Sequence, residues 1–371
     1  MRIAVLHSNP DYLLGPRLPL LRHLSERFDV VAMAPRLATR HLTELRDLGI
    51  EGASFALQPT GLNPFIDLAD MLRLARTLRQ LRLDAVLTNT IKPVTLGTFA
   101  AAMAGVRKRH ALISGLGFAF IDDGQPPTLR KRIVRLVAAA QYRAALRLNR
   151  RVVFHNRDDL EDFVDAGICP ADRAGHVDGS GIDTVAFAAA PPVLDPVFVM
   201  VSRLLRDKGV LEYLEAARMV KARVHDARFL LVGDVDPNPS SIDAGIVRRY
   251  VDDGTIEWAG GVGDVRPWLR RAAVFVLPSY REGMPRSTLE AMATGRAIIT
   301  TDVPGCRETV VERSNGLLVP ARDVAALADA MAELANQPDL VRLMGIESRR
   351  IAEERFDLAV VHRQLDQALG W

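Results

Sequence analysis

Two glutamates eight positions apart, Glu282 and Glu290, bracket a Gly283-Met284-Pro285 turn between the apolar runs Ala273–Leu277 and Ala297–Thr300. A carboxylate accepts paired hydrogen bonds from neighbouring hydroxyls, so two of them suit a ligand with a polyhydroxylated ring at each end. A helix is expected to begin around Pro285–Arg286, because proline loses nothing in a first turn. The free N–H groups of that turn, with the Ser287 and Thr288 hydroxyls and the helix dipole, favour an anion between the two carboxylates. Taken alone, the spacing is equally a capping glutamate followed by a solvated one. Ser202-Arg-Leu-Leu-Arg-Asp-Lys-Gly209 adds Arg203 and Lys208 after an apolar run, two cations of the kind a diphosphate needs, unless they merely pair with Asp207. Asp234-Val-Asp236 has the form of a metal-binding D-x-D, but it follows Val232-Gly233 at a strand end and reads as a turn. The eight histidines show no ligand spacing, so no metal is expected; His7 reads as a strand-end residue rather than a base.

These residues need a scaffold that brings loop ends together. Short continuous apolar runs recur between longer helical patterns: Ile3–His7, Val30–Ala34, Ala53–Leu57, Ala85–Asn89, Ala111–Ser114 and Val152–His155 in the first half. In the second half they are Val197–Ser202, Phe229–Gly233, Ile256–Gly260, Ala273–Pro278, Ala297–Thr301 and Leu317–Pro320. Continuous rather than alternating runs predict parallel strands covered on both faces by crossover helices such as Pro64–Leu83 and Val210–Val224. Asp323 reads as a helix start and Gly295 as a helix stop. The proline-rich stretch Ala188–Pro196 divides the chain into residues 1–190 and 191–355, each a doubly wound, Rossmann-like α/β domain. Residues 356–371 form a terminal amphipathic helix. A dinucleotide enzyme of this build would carry a glycine fingerprint after its first strand. Only Gly15 follows that strand, and Gly115-Leu-Gly-Phe-Ala-Phe120 comes five strands in without the third glycine, so that reading is set aside.

With 371 residues, 49% hydrophobic and 25% charged, the composition is that of a two-domain globular enzyme. Cys169 and Cys306 stand far apart and predict neither disulfide nor metal cluster, which makes a reducing cytosol the expected compartment. The chain opens on a strand-like segment without a leader, and no apolar run approaches the ~20 residues of a membrane span. Residues 1–192 carry 25 basic against 19 acidic side chains, and residues 193–371 carry 23 against 26. The basic front half points to an anionic partner; no nucleic-acid partner is expected.

The motifs S-R-x4-K-G at 202–209, G-G-V at 260–262, P-S-x2-EGMPxxxLEAMAxGxxII at 278–299 and N-G-x-L-V-P at 315–320 together resemble glycosyltransferase family 4. These are retaining enzymes of the GT-B architecture, two Rossmann-like domains with a cleft between them. In the first half, Thr90-Ile-Lys-Pro93, Ile113–Phe118 and Phe154–Asp159 resemble the polyprenyl-diphosphate-linked N-acetylhexosamine transferases of bacterial glycan assembly. The resemblance implies a UDP-sugar donor, a lipid-linked glycan acceptor and retaining transfer of a hexose or N-acetylhexosamine without metal. It also implies roles. Glu282 would hold the donor sugar's hydroxyls and Glu290 the ribose, while Arg203 and Lys208 would stabilise the departing diphosphate. Gly283, Met284 and Pro285 would complete the phosphate site; Gly261 and Val262 would line the nucleobase pocket, and Gly15 would let the chain pass close to the phosphates. Arg17, Asn89, Thr90 and Lys92 are acceptor candidates, with Ser114 where many family members carry an active-site histidine. A sugar-nucleotide epimerase of the same architecture, and a silent sugar-nucleotide-binding module, remain the alternatives.

From Gly124 to Arg157 there are nine basic residues and no acidic one. Thr128–Leu148 reads as a helix with Leu129, Ile133, Leu136, Ala140, Ala144 and Leu148 along one stripe. That stripe is expected to pack inward while Arg132, Arg135, Arg143 and Arg147 face an anionic membrane surface. The expected location is therefore peripheral, on the inner face of the cytoplasmic membrane.

Overall fold

The computed structural model describes residues 1–58, 63–116, 128–238 and 240–371, without the side chains of Arg130 and Lys131. The chain forms two compact units, residues 1–180 with Val361–Trp371, and residues 181–360, leaving aside residues outside the described set.

The first unit is a seven-stranded parallel sheet in the order β3-β2-β1-β4-β5-β6-β7. Its strands are β1 (Arg2–Leu6), β2 (Asp29–Ala34), β3 (Glu51–Ser54), β4 (Ala85–Asn89), β5 (Lys108–Ile113), β6 (Arg151–Phe154) and β7 (Ala174–His176). The crossovers are α1 (Pro10–Leu14), α2 (Leu18–Ser25), α3 (Thr39–Asp47), α4 (Pro64–Gln80), α5 (Thr98–Met103), α6 (Leu129–Leu146) and α7 (Arg157–Asp165). The continuous apolar runs have the cause expected for them: Ile3–Leu6 and Val30–Ala34 are buried along their length because helices cover both faces. The β3 expectation is shifted, since the strand pairs through Glu51–Ser54 and not Ala53–Leu57. β7 is a three-residue edge strand, Ala-Gly-His, with no apolar run to announce it.

The second unit is a six-stranded parallel sheet in the order β10-β9-β8-β11-β12-β13. It comprises β8 (Val197–Val201), β9 (Arg228–Val232), β10 (Glu257–Trp258), β11 (Val274–Leu277), β12 (Ala297–Thr301) and β13 (Gly316–Val319). Its helices are α8 (Val210–Arg223), α9 (Ala244–Asp252), α10 (Arg266–Arg271), α11 (Arg286–Ala293), α12 (Val324–Ala335) and α13 (Pro338–Ile351). The Asp323 carboxylate accepts from Ala326 N at 2.9 Å and starts α12. Gly295, at φ +79°, ends α11.

The units divide at Ser180–Gly181, ahead of the proline-rich stretch. Two arginines explain the difference. Arg296, fully buried, donates to the carbonyls of Ala190 and Pro191 at 2.8 and 2.9 Å. Arg349 donates to those of Thr184 and Phe187. The stretch is thereby held on the second unit as irregular but hydrogen-bonded backbone. Burial lowers the Arg296 pKa to about 10, so the group stays charged at neutral pH.

The last helix, α14 (Leu358–Leu369), gives Leu365 and Leu369 to the first unit's core beside Leu20 and Leu21. Its Asp366 carboxylate accepts from Arg27 at 2.6 Å and contacts His23 at 3.1 Å.

α6 corrects an expectation. The stripe Leu129–Ile133–Leu136–Ala140–Ala144 does not pack inward: Leu129, Ile133 and Leu136 are exposed, as are Ala140 and Ala144. The opposite face packs, with Tyr142, Ala145 and Leu146 buried and the Tyr142 ring edge-on to Phe163 at 5.2 Å. One large aromatic with small neighbours fills that seam, which the wider aliphatic stripe outweighs in sequence. Arg132, Arg135 and Arg147 are exposed, but Arg143 is only half-buried and donates to the carbonyls of Ala166 and Gly167, so it serves the fold.

Candidate functional site

In each sheet the strand order reverses beside the first strand, between β1 and β4 and between β8 and β11. Ligands of doubly wound sheets sit at the carboxyl edge of such switch points, because the loops there diverge to opposite faces. Each unit places predicted site residues at its own switch point.

In the second unit, Arg203 follows β8 and Lys208 closes a short 3₁₀ turn, Arg206–Lys208. Gly209, at φ +72°, opens α8; a Cβ there would stand 2.1 Å from the Pro278 carbonyl, so only glycine lets this loop lie against the end of β11. The close approach puts Lys208 Nζ 2.5 Å from Glu282 Oε1. Ser279 Oγ donates to the same oxygen at 2.8 Å, while Oε2 takes no hydrogen bond from a described residue. Burial pulls the Lys208 pKa down, but the Glu282 charge and hydrogen bond, with Asp207 adding, leave it above the ordinary value, so the ammonium persists. The Glu282 amide is fixed by the Pro304 carbonyl at 3.0 Å. Gly305, at φ +78°, is required beneath it, since a Cβ would meet the Glu282 carbonyl at 2.4 Å.

Arg203 pairs with Asp236 at 2.9 Å, not with Asp207, and keeps a largely exposed side chain. Asp236 Oδ1 also accepts from Asn238 N, and Asp234 Oδ1 from Val235 N, so Asp234-Val-Asp236 is loop backbone whose two carboxylates bond nearby amides. Glu290 sits one turn into α11 with Arg286 Nε 2.9 Å from its Oε1. Burial raises the Glu290 pKa, and Arg286 opposes the rise. Met284 and Pro285 are buried; Pro285 precedes the first helical residue, and its carbonyl accepts from Thr288 and Leu289. Gly261 is exposed and lies against Asp234, and Val262 is half-buried on the core. Lys208, Glu282 and Gly283–Pro285 are thus brought together, whereas Arg203 is tied to Asp236. Sequence reading gave no role to Ser279, Asp236 or Arg286, although Arg286 and Glu290 have the i,i+4 spacing of a helical ion pair.

In the first unit, β4 delivers Asn89 and Thr90 beside Ser8 of the β1 loop. Asn89 is buried, and its Nδ2 makes no hydrogen bond with a described residue. Ser114 Oγ donates to Asn89 Oδ1 at 3.4 Å. Thr90 stands at φ +72°, a strained setting for a β-branched residue, with Oγ1 donating to Ser8 Oγ at 2.9 Å. Lys92 is paired with Asp67 at 2.7 Å. Gly15 ends α1 in an exposed position, and Arg17 is buried nearby. Asn89 with Ser114, and Thr90 with Ser8, form two hydrogen-bonded pairs at this edge. The Gly115–Phe120 run lies from Gly117 onward outside the described residues.

The comparisons with known proteins bear on this geometry. Residues 195–337 match the family model described as glycosyl transferases group 1. The chain is 29% identical to the N,N'-diacetylbacillosaminyl-diphospho-undecaprenol alpha-1,3-N-acetylgalactosaminyltransferase of Campylobacter jejuni, over 92% of this chain and 91% of that one. It is 26% identical to the UDP-Gal:alpha-D-GlcNAc-diphosphoundecaprenol alpha-1,3-galactosyltransferase of Escherichia coli, over 73% and 71%. The Anabaena protein HepE, solved in complex with UDP, shares the fold with a TM-score of 0.76 at 19% identity over 100% of both chains. Residues 195–337 thus form a glycosyl transferases group 1 domain, and the chain has the two parallel Rossmann-like sheets of the GT-B fold.

Proposed function

We propose that the protein transfers a hexose or N-acetylhexosamine from a UDP-sugar to a polyprenyl-diphosphate-linked saccharide, with retention and without a metal. The observation that carries the reading is the Lys208–Glu282–Ser279 cluster beside α11. Lys208 and Ser279 share Glu282 Oε1, which fixes the carboxylate while Oε2 stays available to a sugar hydroxyl. The names of the two relatives support a lipid-linked acceptor, and the UDP bound to HepE is in keeping with a UDP-sugar donor.

Lys208 takes up negative charge on the diphosphate as the glycosidic bond breaks, and Arg203 joins it by leaving Asp236. The acceptor hydroxyl attacks the anomeric carbon on the face from which UDP departs. UDP takes the bonding pair, and the hydroxyl proton passes to the departing phosphate oxygen. Glu290 holds the ribose with Arg286 at its side, and Asn89, Thr90 and Ser114 present the acceptor. The working location in this reading is the cytoplasmic face of the membrane.

The test incubates the protein with labelled UDP-sugars, an undecaprenyl-diphosphate saccharide and EDTA. The proposal expects labelled lipid product with the anomeric configuration of the donor. Interconversion of free UDP-sugar, or UDP binding with no transfer to any lipid-linked acceptor, would overturn it.

A further inference from the structure

Large apolar side chains stand in water on two helices of the first unit. On α4 they are Phe65, Leu68 and Leu72, at the i, i+3, i+7 spacing of one face, with Phe65 81% exposed. On α6 they are Leu129, Ile133, Leu136 and Val137, with Leu129 74% and Leu136 72% exposed. Both helices pack on the same π-turn, Pro93–Gly97. Both helices also run from the carboxyl edge of the sheet, because each follows a strand. Their apolar halves therefore lie at the edge that holds Asn89, Thr90 and Lys92.

The net charge beside these stripes is positive. Arg132 and Arg135 are exposed on α6, and no acidic residue lies between Gly124 and Arg157. On α4, Arg73 and Arg76 are exposed, while Asp67 is neutralised by Lys92 at 2.7 Å and Asp70 by Arg73 at 3.0 Å. Isolated exposed leucines need no explanation, but apolar stripes edged by arginines on two helices that share one turn do. The matching partner has an apolar interior and an anionic surface.

We infer that α4 and α6 together insert their apolar stripes into the headgroup boundary of an anionic bilayer, with the arginines at the phosphate level. Binding is then hydrophobic as well as electrostatic, and the inserted edge is the one that carries the acceptor candidates. The lipid-linked acceptor of the proposed function gives this insertion its purpose, but the insertion is tested without turnover.

Cys169 and Cys306 are both buried, so a single engineered surface cysteine can be labelled selectively. An environment-sensitive fluorophore is placed at Phe65→Cys, at Leu136→Cys and, as control in the second unit, at Val311→Cys. Vesicles of phosphatidylcholine with phosphatidylglycerol should shift the emission of the first two to the blue and leave the third unchanged. The shift should persist at about 0.5 M salt, where exposed charges are screened within a few ångströms. The variant Phe65→Ser/Leu68→Ser/Ile133→Ser/Leu136→Ser should lower vesicle partitioning at least about tenfold, while transfer to a short, water-soluble acceptor continues. Unchanged emission on vesicles would overturn the inference. So would a vesicle-free shift that rises with protein concentration, which means that a second copy covers the face, or labels already shielded from an aqueous quencher in the free protein. Insertion without any transfer would sink the proposed function and leave this inference standing.

Discussion

The two units share a topology and differ in what their switch points hold. In the second, the cations and carboxylates are partnered with one another: Lys208 with Glu282, Arg203 with Asp236, Arg286 with Glu290. In the first, the equivalent edge joins neutral groups in two pairs, Asn89 with Ser114 and Thr90 with Ser8, beside the Lys92–Asp67 ion pair, and the Asn89 amide is left without a partner among the described residues. The contrast suits a division of labour. In the proposed function the charged groups of the second unit answer a diphosphate, and the neutral Asn89, Thr90 and Ser114 side chains suit the hydroxyls of an acceptor. Histidines differ as well, since seven of the eight lie in the first unit and five of those seven are buried.

That asymmetry gives the largest expected effect. His7 and His110 are each lowered to about 4, first by burial and then by nearby cations, Arg17 for His7 and Arg150, Lys108 and Arg151 for His110. His155 is lowered well below its ordinary value, again by burial first and then by Arg17 and His176. The folded state resists protons that the unfolded chain accepts below 6.5, so stability is present above that pH and is lost as pH falls towards 4. The loss is roughly 3 kcal/mol for each of His7 and His110 when complete. Hydrogen exchange followed by mass spectrometry at pH 7.5 and pH 5 should show the first unit losing protection before the second. Simultaneous loss, or loss from the second unit first, would contradict the comparison.

The next effect belongs to the second unit. Lys208→Ala should lower kcat by about 10²–10³, as removal of a charge stabiliser does in other transferring enzymes, and should leave Glu282 buried with only Ser279 beside it. Arg203→Ala should cost less, about tenfold, because its side chain is mostly solvated and already paired with Asp236. Steady-state kinetics in EDTA checks both. Equal costs would mean that Arg203 is as tightly engaged in the transition state as Lys208, against the geometry.

The second unit was far more legible in sequence than the first. All six of its strands are where apolar runs placed them, and Glu282, Lys208 and Glu290 lie on one edge because strand–turn–helix spacing fixes where such residues emerge. What sequence could not supply was pairing. Nothing in Ser202–Gly209 says that Arg203 reaches Asp236, 33 positions on, or that Arg296 and Arg349 would gather the proline-rich stretch onto the second unit. On α6 the pattern misled, because its larger aliphatic stripe is solvent-exposed and a single tyrosine with small neighbours makes the core contact. Periodicity identifies the faces of a helix but not which of them the protein covers. Thr90 shows another limit: no property of the residue announces a positive φ, which only the meeting of β4 with the β1 loop imposes.

The division of labour itself is tested most directly by titrating UDP calorimetrically into the wild type, Glu290→Ala and Asn89→Ala, alongside transfer assays with a lipid-linked acceptor. Loss of hydrogen bonds to a charged acceptor costs roughly 1.5–3 kcal/mol each, so Glu290→Ala should weaken UDP at least about tenfold. Asn89→Ala should leave UDP affinity unchanged while lowering transfer. UDP affinity that is unaltered by Glu290→Ala, or weakened as much by Asn89→Ala, would contradict the assignment of donor to the second unit and acceptor to the first.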